Sequence, residues 1–184
     1  MRSFQTKLRS QCNKVIRDLA IEGAKDPDSF RECAAAAARQ LGPDSVRTLK
    51  SLFHSEHSPP DEARDLFPGL GQWIAARQFA IFEVFYNLPD ASLETLKEVA
   101  FGNYDWTQGN AIEVLLRLAA DGFRTAEILE DVRRNFADVQ YEAQLYAVEP
   151  LLKLAQSNPQ VANVLRHLED IDEFNSAVND LQGS

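Results

Sequence analysis

The sequence predicts an all-α protein: a short curved array of antiparallel helical hairpins with a helical N-terminal subdomain. Three observations predict it. The stretch Ala111-Ile112-Glu113-Val114-Leu115-Leu116-Arg117-Leu118-Ala119 returns as Ala147-Val148-Glu149-Pro150-Leu151-Leu152-Lys153-Leu154-Ala155, and a looser copy stands at Ile81-Phe82-Glu83-Val84-Phe85-Tyr86-Asn87-Leu88. The spacings of 30 and then 36 residues are in the range of stacked helical hairpins. No run of alternating β-branched residues reads as a strand. Helix punctuation is regular, with Gly23, Gly42, Gly102 and Gly122 each placed after an apolar helical stretch, as a C-terminal cap would be.

The elements follow in chain order. Helices are expected over 3–22 and 28–41, the latter carrying the alanine run Ala34 to Ala38, which favours helix and lets a neighbour come close. A third runs over 44–55. The stretch His54 to Gly71 then holds Pro59, Pro60 and Pro68 and reads as an irregular connection with one helical turn near 61–66. Helices over 70–88, 91–101 and 105–121 follow. In the last, Asp105 with Gln108 three residues on resembles a capping box, with Asp in place of Ser or Thr. Further helices are expected over 124–135 and 138–156, where Pro150 should remove one backbone hydrogen bond and bend the chain. Asn158-Pro159 places a capping side chain before a proline and opens a helix over 159–168, closed by another over 170–181. The expected organisation is a helical N-terminal subdomain over 1–58, a loop over 59–70 and a repeat region over 71–184, continuous with the N-terminal part as one domain.

A chain of 184 residues is long enough for a real core without staples. Cys12 and Cys33 make no disulfide framework and read as buried reduced thiols. The basic, polar stretch Met1 to Ile16 lacks the apolar region of a secretory signal, and no apolar run reaches a membrane span, so a cytoplasmic setting is expected. The net charge is −9, unevenly spread: residues 1–55 hold 10 Lys and Arg against 6 Asp and Glu, and the remainder hold 9 against 22. An acidic body repels nucleic-acid phosphates and attracts a basic protein. Acidity also serves solubility alone, and composition does not separate the two readings.

Within the repeat, Ala111, Val114, Leu115 and Leu118 fall on one helix face, matched by Ile81, Val84, Phe85 and Leu88 and by Ala147, Pro150, Leu151 and Leu154. That face should form a shared core, because one hairpin does not bury it alone. The opposite face carries Glu113 with Arg117, Glu83 with Asn87, and Glu149 with Lys153. Stacking would set these pairs in a ladder, either a binding surface or a solvated face with intrahelical pairs worth a few tenths of a kcal/mol each. Aromatics at or near the starts of second helices, Trp73, Tyr104, Trp106, Tyr141 and Tyr146, are either interface anchors or half-buried core. The candidate partner-binding residues are Glu83, Asn87, Tyr104, Trp106, Glu113, Arg117, Tyr146, Glu149 and Lys153, with Tyr104 and Trp106 foremost.

The second-helix phrase with its early Ala and following Leu-Leu-x-Leu resembles HEAT and armadillo-type repeats, the α-solenoid proteins. So do Asp105-Trp106-Thr107-Gln108-Gly109-Asn110-Ala111 and Asp138 before Ala147. The resemblance covers about 70–168; the usual Arg before the second-helix Ala is absent at 110 and 146, and the mid-hairpin Pro is missing. It implies protein binding along a superhelical groove, usually without catalysis.

Catalytic signatures are thin. His54-Ser55-Glu56-His57 could bring two imidazoles to a metal, but H-E-x-x-H needs its histidines four apart, and histidines at a helix end also serve its dipole. There is no Gly-x-Ser-x-Gly elbow and no phosphate-cradling glycine loop. Glu169-Asp170-Ile171-Asp172-Glu173 lacks the ligand alternation and central glycine of a calcium loop. The expectation is a protein without cofactor, non-catalytic, whose acidic groove docks a basic protein and neither nucleic acid nor membrane. Such a small acidic binder resembles immunity proteins that neutralise basic toxins. The alternatives are a metal-dependent enzyme using His54, His57 and nearby carboxylates, and a self-assembling scaffold.

Overall fold

A computed structural model describes residues 2–55, 58–103 and 105–183. Among them there are ten α-helices and no strand. The helices are α1 (Arg2–Lys25), α2 (Phe30–Leu41), α3 (Val46–Lys50), α4 (Leu70–Tyr86), α5 (Pro89–Ala100), α6 (Gln108–Ala120), α7 (Thr125–Asn135), α8 (Tyr141–Ala155), α9 (Pro159–Arg166) and α10 (Asp172–Gln182). Three 3-10 turns accompany them, at Pro43–Ser45, Asp61–Ala63 and Phe136–Asp138. The expected helix over 44–55 is thus a 3-10 turn running into the short α3, and the turn expected near 61–66 is present as the 3-10 turn. No helix of the described residues is long and apolar enough to cross a membrane.

The chain forms two compact units, Met1–Thr95 and Leu96–Ser184, with α5 running through the division. In the first unit α1 packs against α2, α3 and α4, and α2 and α3 also touch α4. The alanine run works as packing: Ala34, Ala37 and Ala38, at i, i+3 and i+4, are buried. Phe53 stacks on Phe82 at 4.9 Å and meets Phe85 edge-on at 5.9 Å. Helix α4 was expected to begin the repeat region; it is the helix around which the N-terminal helices gather.

In the second unit α6 packs against α7, α8 and α9, while α8 also meets α9 and α10. Helix α6 is buried on every side, from Gln108 to Ala119 with only Asn110 partly open. A helix so enclosed is the axis of its unit. The α6–α8 crossing is close because Gly109 has no side chain: a Cβ there would stand 2.7 Å from the Ala143 carbonyl oxygen and 2.7 Å from the Tyr146 Cβ. Lys97 of α5 bridges Glu127 and Asp131 of α7, both at 2.6 Å. Burial opposes the Lys97 charge, but hydrogen bonds and the charges of Asp131 and Glu127 outweigh it and raise the pKa.

Nine of the twelve repeated apolar positions are core, and Leu88, Pro150 and Leu154 are half-buried. Ile81, Ala111 and Ala147 are fully buried, as are Phe85, Leu115 and Leu151. A second repeated device was not anticipated. Gln78, Gln108 and Gln144 stand three residues before those alanine-type positions, at the same spacings, and all three are buried. Each turns its amide back onto the end of the preceding helical segment. Gln78 Nε2 donates to the Phe53 carbonyl at 2.9 Å, Gln108 Nε2 to Ala100 and Gly102 at 3.4 and 3.1 Å, and Gln144 Nε2 to Phe136 and Val139, both at 3.0 Å. Helix ends leave carbonyls without intrahelical donors, and these amides satisfy them. The bond from Gln78 also identifies the segment around α3 as the partner of α4, with the Pro-rich connection inserted between them.

Several caps depart from expectation. Gly122, at φ 86°, closes α6 in a Schellman motif, its N–H bonded to the Ala119 carbonyl and that of Phe123 to Leu118. Gly42, at φ 69°, caps α2 as expected. Gly23 does not end α1; it lies within the helix, pressed by the Phe30 ring, which would stand 2.5 Å from a Cβ. The capping box is also absent: Asp105 Oδ1 accepts from the Thr107 N–H and hydroxyl at 2.8 and 2.9 Å, because Gln108 is committed to the end of α5. Asn158 does cap α9, accepting from the N–H groups of Gln160 and Val161.

Candidate protein-binding surface

Two of the three expected polar pairs form between side chains, Glu113 with Arg117 and Glu149 with Lys153, and of these the second stands on an open face. Asn87 Nδ2 donates to the Glu83 carbonyl at 2.8 Å, Arg117 Nη1 approaches Glu113 Oε1 at 3.3 Å, and Lys153 Nζ reaches Glu149 Oε1 at 2.6 Å. Glu83, Glu113 and Arg117 are buried, and Asn87 is partly so. The reason is enclosure: α6 and the C-terminal half of α4 are covered by other helices, so their polar faces are covered along with their apolar ones. These four residues therefore lie within the packed units, and Glu113 with Arg117 is a desolvated ion pair. Only Glu149 and Lys153 remain exposed.

What stands open is a ridge on α8. Glu142, Tyr146, Glu149 and Lys153 occupy i, i+4, i+7 and i+11, and all four are exposed. Tyr146 is 62% accessible, the most exposed of the large hydrophobics among the described residues. The close crossing at Gly109 seats the base of Tyr146 against the start of α6. Trp106, three residues before Gly109, is 47% accessible. Pro150 adds a polar feature: it has no N–H to give the Tyr146 carbonyl four residues earlier, although α8 continues through it. The ridge thus carries one open aromatic, two acidic side chains and the lysine paired with Glu149, and Trp106 stands open on the segment that leads into α6.

The remaining candidates separate. Trp73 is fully buried, against Phe67 at 5.0 Å. Tyr141 is 43% accessible and its hydroxyl donates to Asp180 Oδ2. That hydrogen bond, then burial and the Asp180 charge, raises the Tyr141 pKa. Tyr104, His57 and Glu56 lie outside the described residues. His54 is exposed beside the Phe53 ring, centroids 6.5 Å apart. Among the described residues no group of three His, Cys, Asp or Glu is placed to hold a metal. Cys12 is buried, which raises its thiol pKa, and Cys33 is partly exposed.

Two sets of residues were missed from the sequence. The three glutamines could have been found by extending the repeat comparison three residues upstream. Arg77, buried on α4, has no such signal, because its surroundings come from α1 and from the segment before the Pro-rich connection.

No protein-family model, no curated protein and no solved structure compared with the chain matches it.

Proposed function

We propose that this protein binds another protein, a basic one, without catalysis, and that it does so through the α8 ridge with Trp106 at its head. The observation that carries the reading is the exposure of Tyr146 and Trp106 beside one tightly packed crossing. Aromatic side chains on a rigid base bury much area on association and lose little entropy, the usual character of interface hot spots. Charge supports the sign of the partner. Residues 96–184 hold 7 Lys and Arg against 15 Asp and Glu, and Glu142 and Glu149 flank Tyr146. Such a field speeds encounter with a basic protein, while the aromatics set the lifetime of the complex.

The repeated apolar positions and the repeated glutamines favour a HEAT-like array as the frame of this surface, in a reduced, cytoplasmic setting. The narrower reading is that the partner is a basic toxin, which an acidic binder of this size would neutralise by covering it.

The test is affinity capture from the native lysate with the wild-type protein, Tyr146→Ala and Trp106→Ala. A basic partner retained by the wild type should be lost from either variant, and Glu149→Lys should slow its association at low salt. Equal capture by wild type and both aromatic variants would overturn the surface. A captured partner that is acidic would overturn the charge argument. Failure to rescue a host poisoned by the captured protein would remove the toxin reading alone.

A further inference from the structure

The first unit carries a cleft of about 610 Å³ between α1 and α4, and its lining is rich in donors. Ser10, Asn13, Lys14 and Arg17 stand at i, i+3, i+4 and i+7, one ridge of α1. Trp73 and Arg77, four apart, form the facing ridge of α4, and Ser58 and Pro60 complete the lining. Three cations line this space and no Asp or Glu among the described residues does. Asp18, beside Arg17, pairs with it at 2.7 Å but is not part of the wall.

Two of these groups are unusual for a buried place. Arg77 is 3% exposed, and its described partners are neutral: the Ser55 carbonyl at 3.0 Å, Asn13 Oδ1 at 3.1 Å and the Trp73 ring at 6.0 Å. A buried guanidinium normally sits against a carboxylate, because desolvation of an uncompensated charge is expensive. Burial accordingly lowers the Arg77 pKa. Trp73 is 1% exposed, and its Nε1–H has no hydrogen-bond partner among the described residues. Buried donors are nearly always satisfied, so one lining a cleft beside a buried cation points to an acceptor from outside the chain.

From these observations we infer that the cleft between α1 and α4 binds a phosphorylated small molecule. The donors are the Arg77 guanidinium, the part of the Arg17 guanidinium that Asp18 does not take, an ammonium, two hydroxyls, the Asn13 amide and the indole N–H, more than the two oxygens of a carboxylate use. A phosphate group offers acceptor oxygens only, and guanidinium recognises it in bidentate fashion. The cleft is larger than one phosphate, so the rest of the ligand has room. The negative charge of the protein as a whole disfavours a long polyanion and leaves a small anion as the fitting partner. This site lies in the first unit and does not depend on the α8 ridge.

The probe is inorganic pyrophosphate, titrated calorimetrically and by the fluorescence of Trp73 in a Trp106→Phe background. Saturable binding is expected, weakened about tenfold in Lys14→Gln, which removes one charge-assisted contact. Lys14 is exposed, so that variant leaves the core intact. Arg77→Gln should weaken binding further if it folds; the Lys14 comparison decides the matter if it does not. A response that sodium chloride of equal ionic strength reproduces, or that Lys14→Gln leaves unchanged, would overturn the site. Phosphatidylcholine vesicles containing phosphatidate form the second arm. Binding to these vesicles with none to free pyrophosphate would assign the donors to a lipid surface and also overturn the small-molecule site.

Discussion

Gln78, Gln108 and Gln144 each close a gap in backbone hydrogen bonding at a helix end. Gln144 illustrates the point, since one amide nitrogen serves both the Phe136 and Val139 carbonyls. Gln144→Leu keeps most of the volume and leaves both acceptors buried without that donor. We expect a loss of about 1–3 kcal/mol of stability, read as a lower midpoint in urea with an unchanged slope. An unchanged midpoint would show that the amide is not needed there. Cys12 offers a second test at this scale. Because burial raises its thiol pKa, the folded state favours the protonated form. Its contribution is intact below the unfolded thiol pKa, about 8.5, and is lost as pH rises from there through the higher folded value. Iodoacetamide at mildly alkaline pH should therefore modify Cys33 first in the native protein and reach Cys12 only on unfolding, as mass spectrometry would show. Rapid native labelling of Cys12 would contradict its burial.

At the scale of elements, the α6–α8 crossing is the contact on which the proposed surface stands. Gly109 permits it, and the atoms a Cβ would meet are the Ala143 carbonyl, the Ala147 nitrogen and the Tyr146 Cβ. None of these is the far end of a flexible side chain, so the helices themselves must part. Gly109→Ala adds helix propensity of about 1 kcal/mol, but overpacking of this kind costs about 1–3 kcal/mol. We expect a net loss near 1 kcal/mol by chemical denaturation, together with weaker capture of the partner, because Tyr146 loses its seat. A stabilised variant with full binding would mean the helices do not cross so closely. Helix ends at this scale follow local chemistry where it is unopposed, as at Asn158 and Gly122. They fail to follow it where a side chain is taken by tertiary contact, as Gln108 is by the end of α5.

The whole chain divides its charge as well as its packing. Its first 55 residues are net basic and the rest strongly acidic. The unit boundary lies beyond the charge boundary, so the first unit holds 12 Lys and Arg against 13 Asp and Glu, with donors gathered in its cleft, and the second 7 against 15, with acids flanking Tyr146. A partner protein and a phosphorylated ligand would therefore act on separate units. Glu113 with Arg117 shows how scale changes meaning: as a sequence pair it resembles a solvated face, while in the folded unit it is a buried ion pair. Replacing Arg117 alone would leave the Glu113 carboxylate without that partner in a desolvated place.

Periodicity with local punctuation located most of the helices, the expected 44–55 shrinking to the short α3, because the apolar positions that repeat every 3 or 4 residues are buried whichever neighbours bury them. Ile81, Ala111 and Ala147 are core for that reason, and the spacing of the copies foretold it. Enclosure is another matter. Whether Glu83, Glu113 and Arg117 face water depends on how many helices surround α4 and α6, and a linear pattern does not carry that number. The same holds for Arg77, whose neutral partners on α1 and at Ser55 are 64 and 22 residues away. Local propensity is written along the chain; desolvation is set by what folds back over it, and only the tertiary structure decided that.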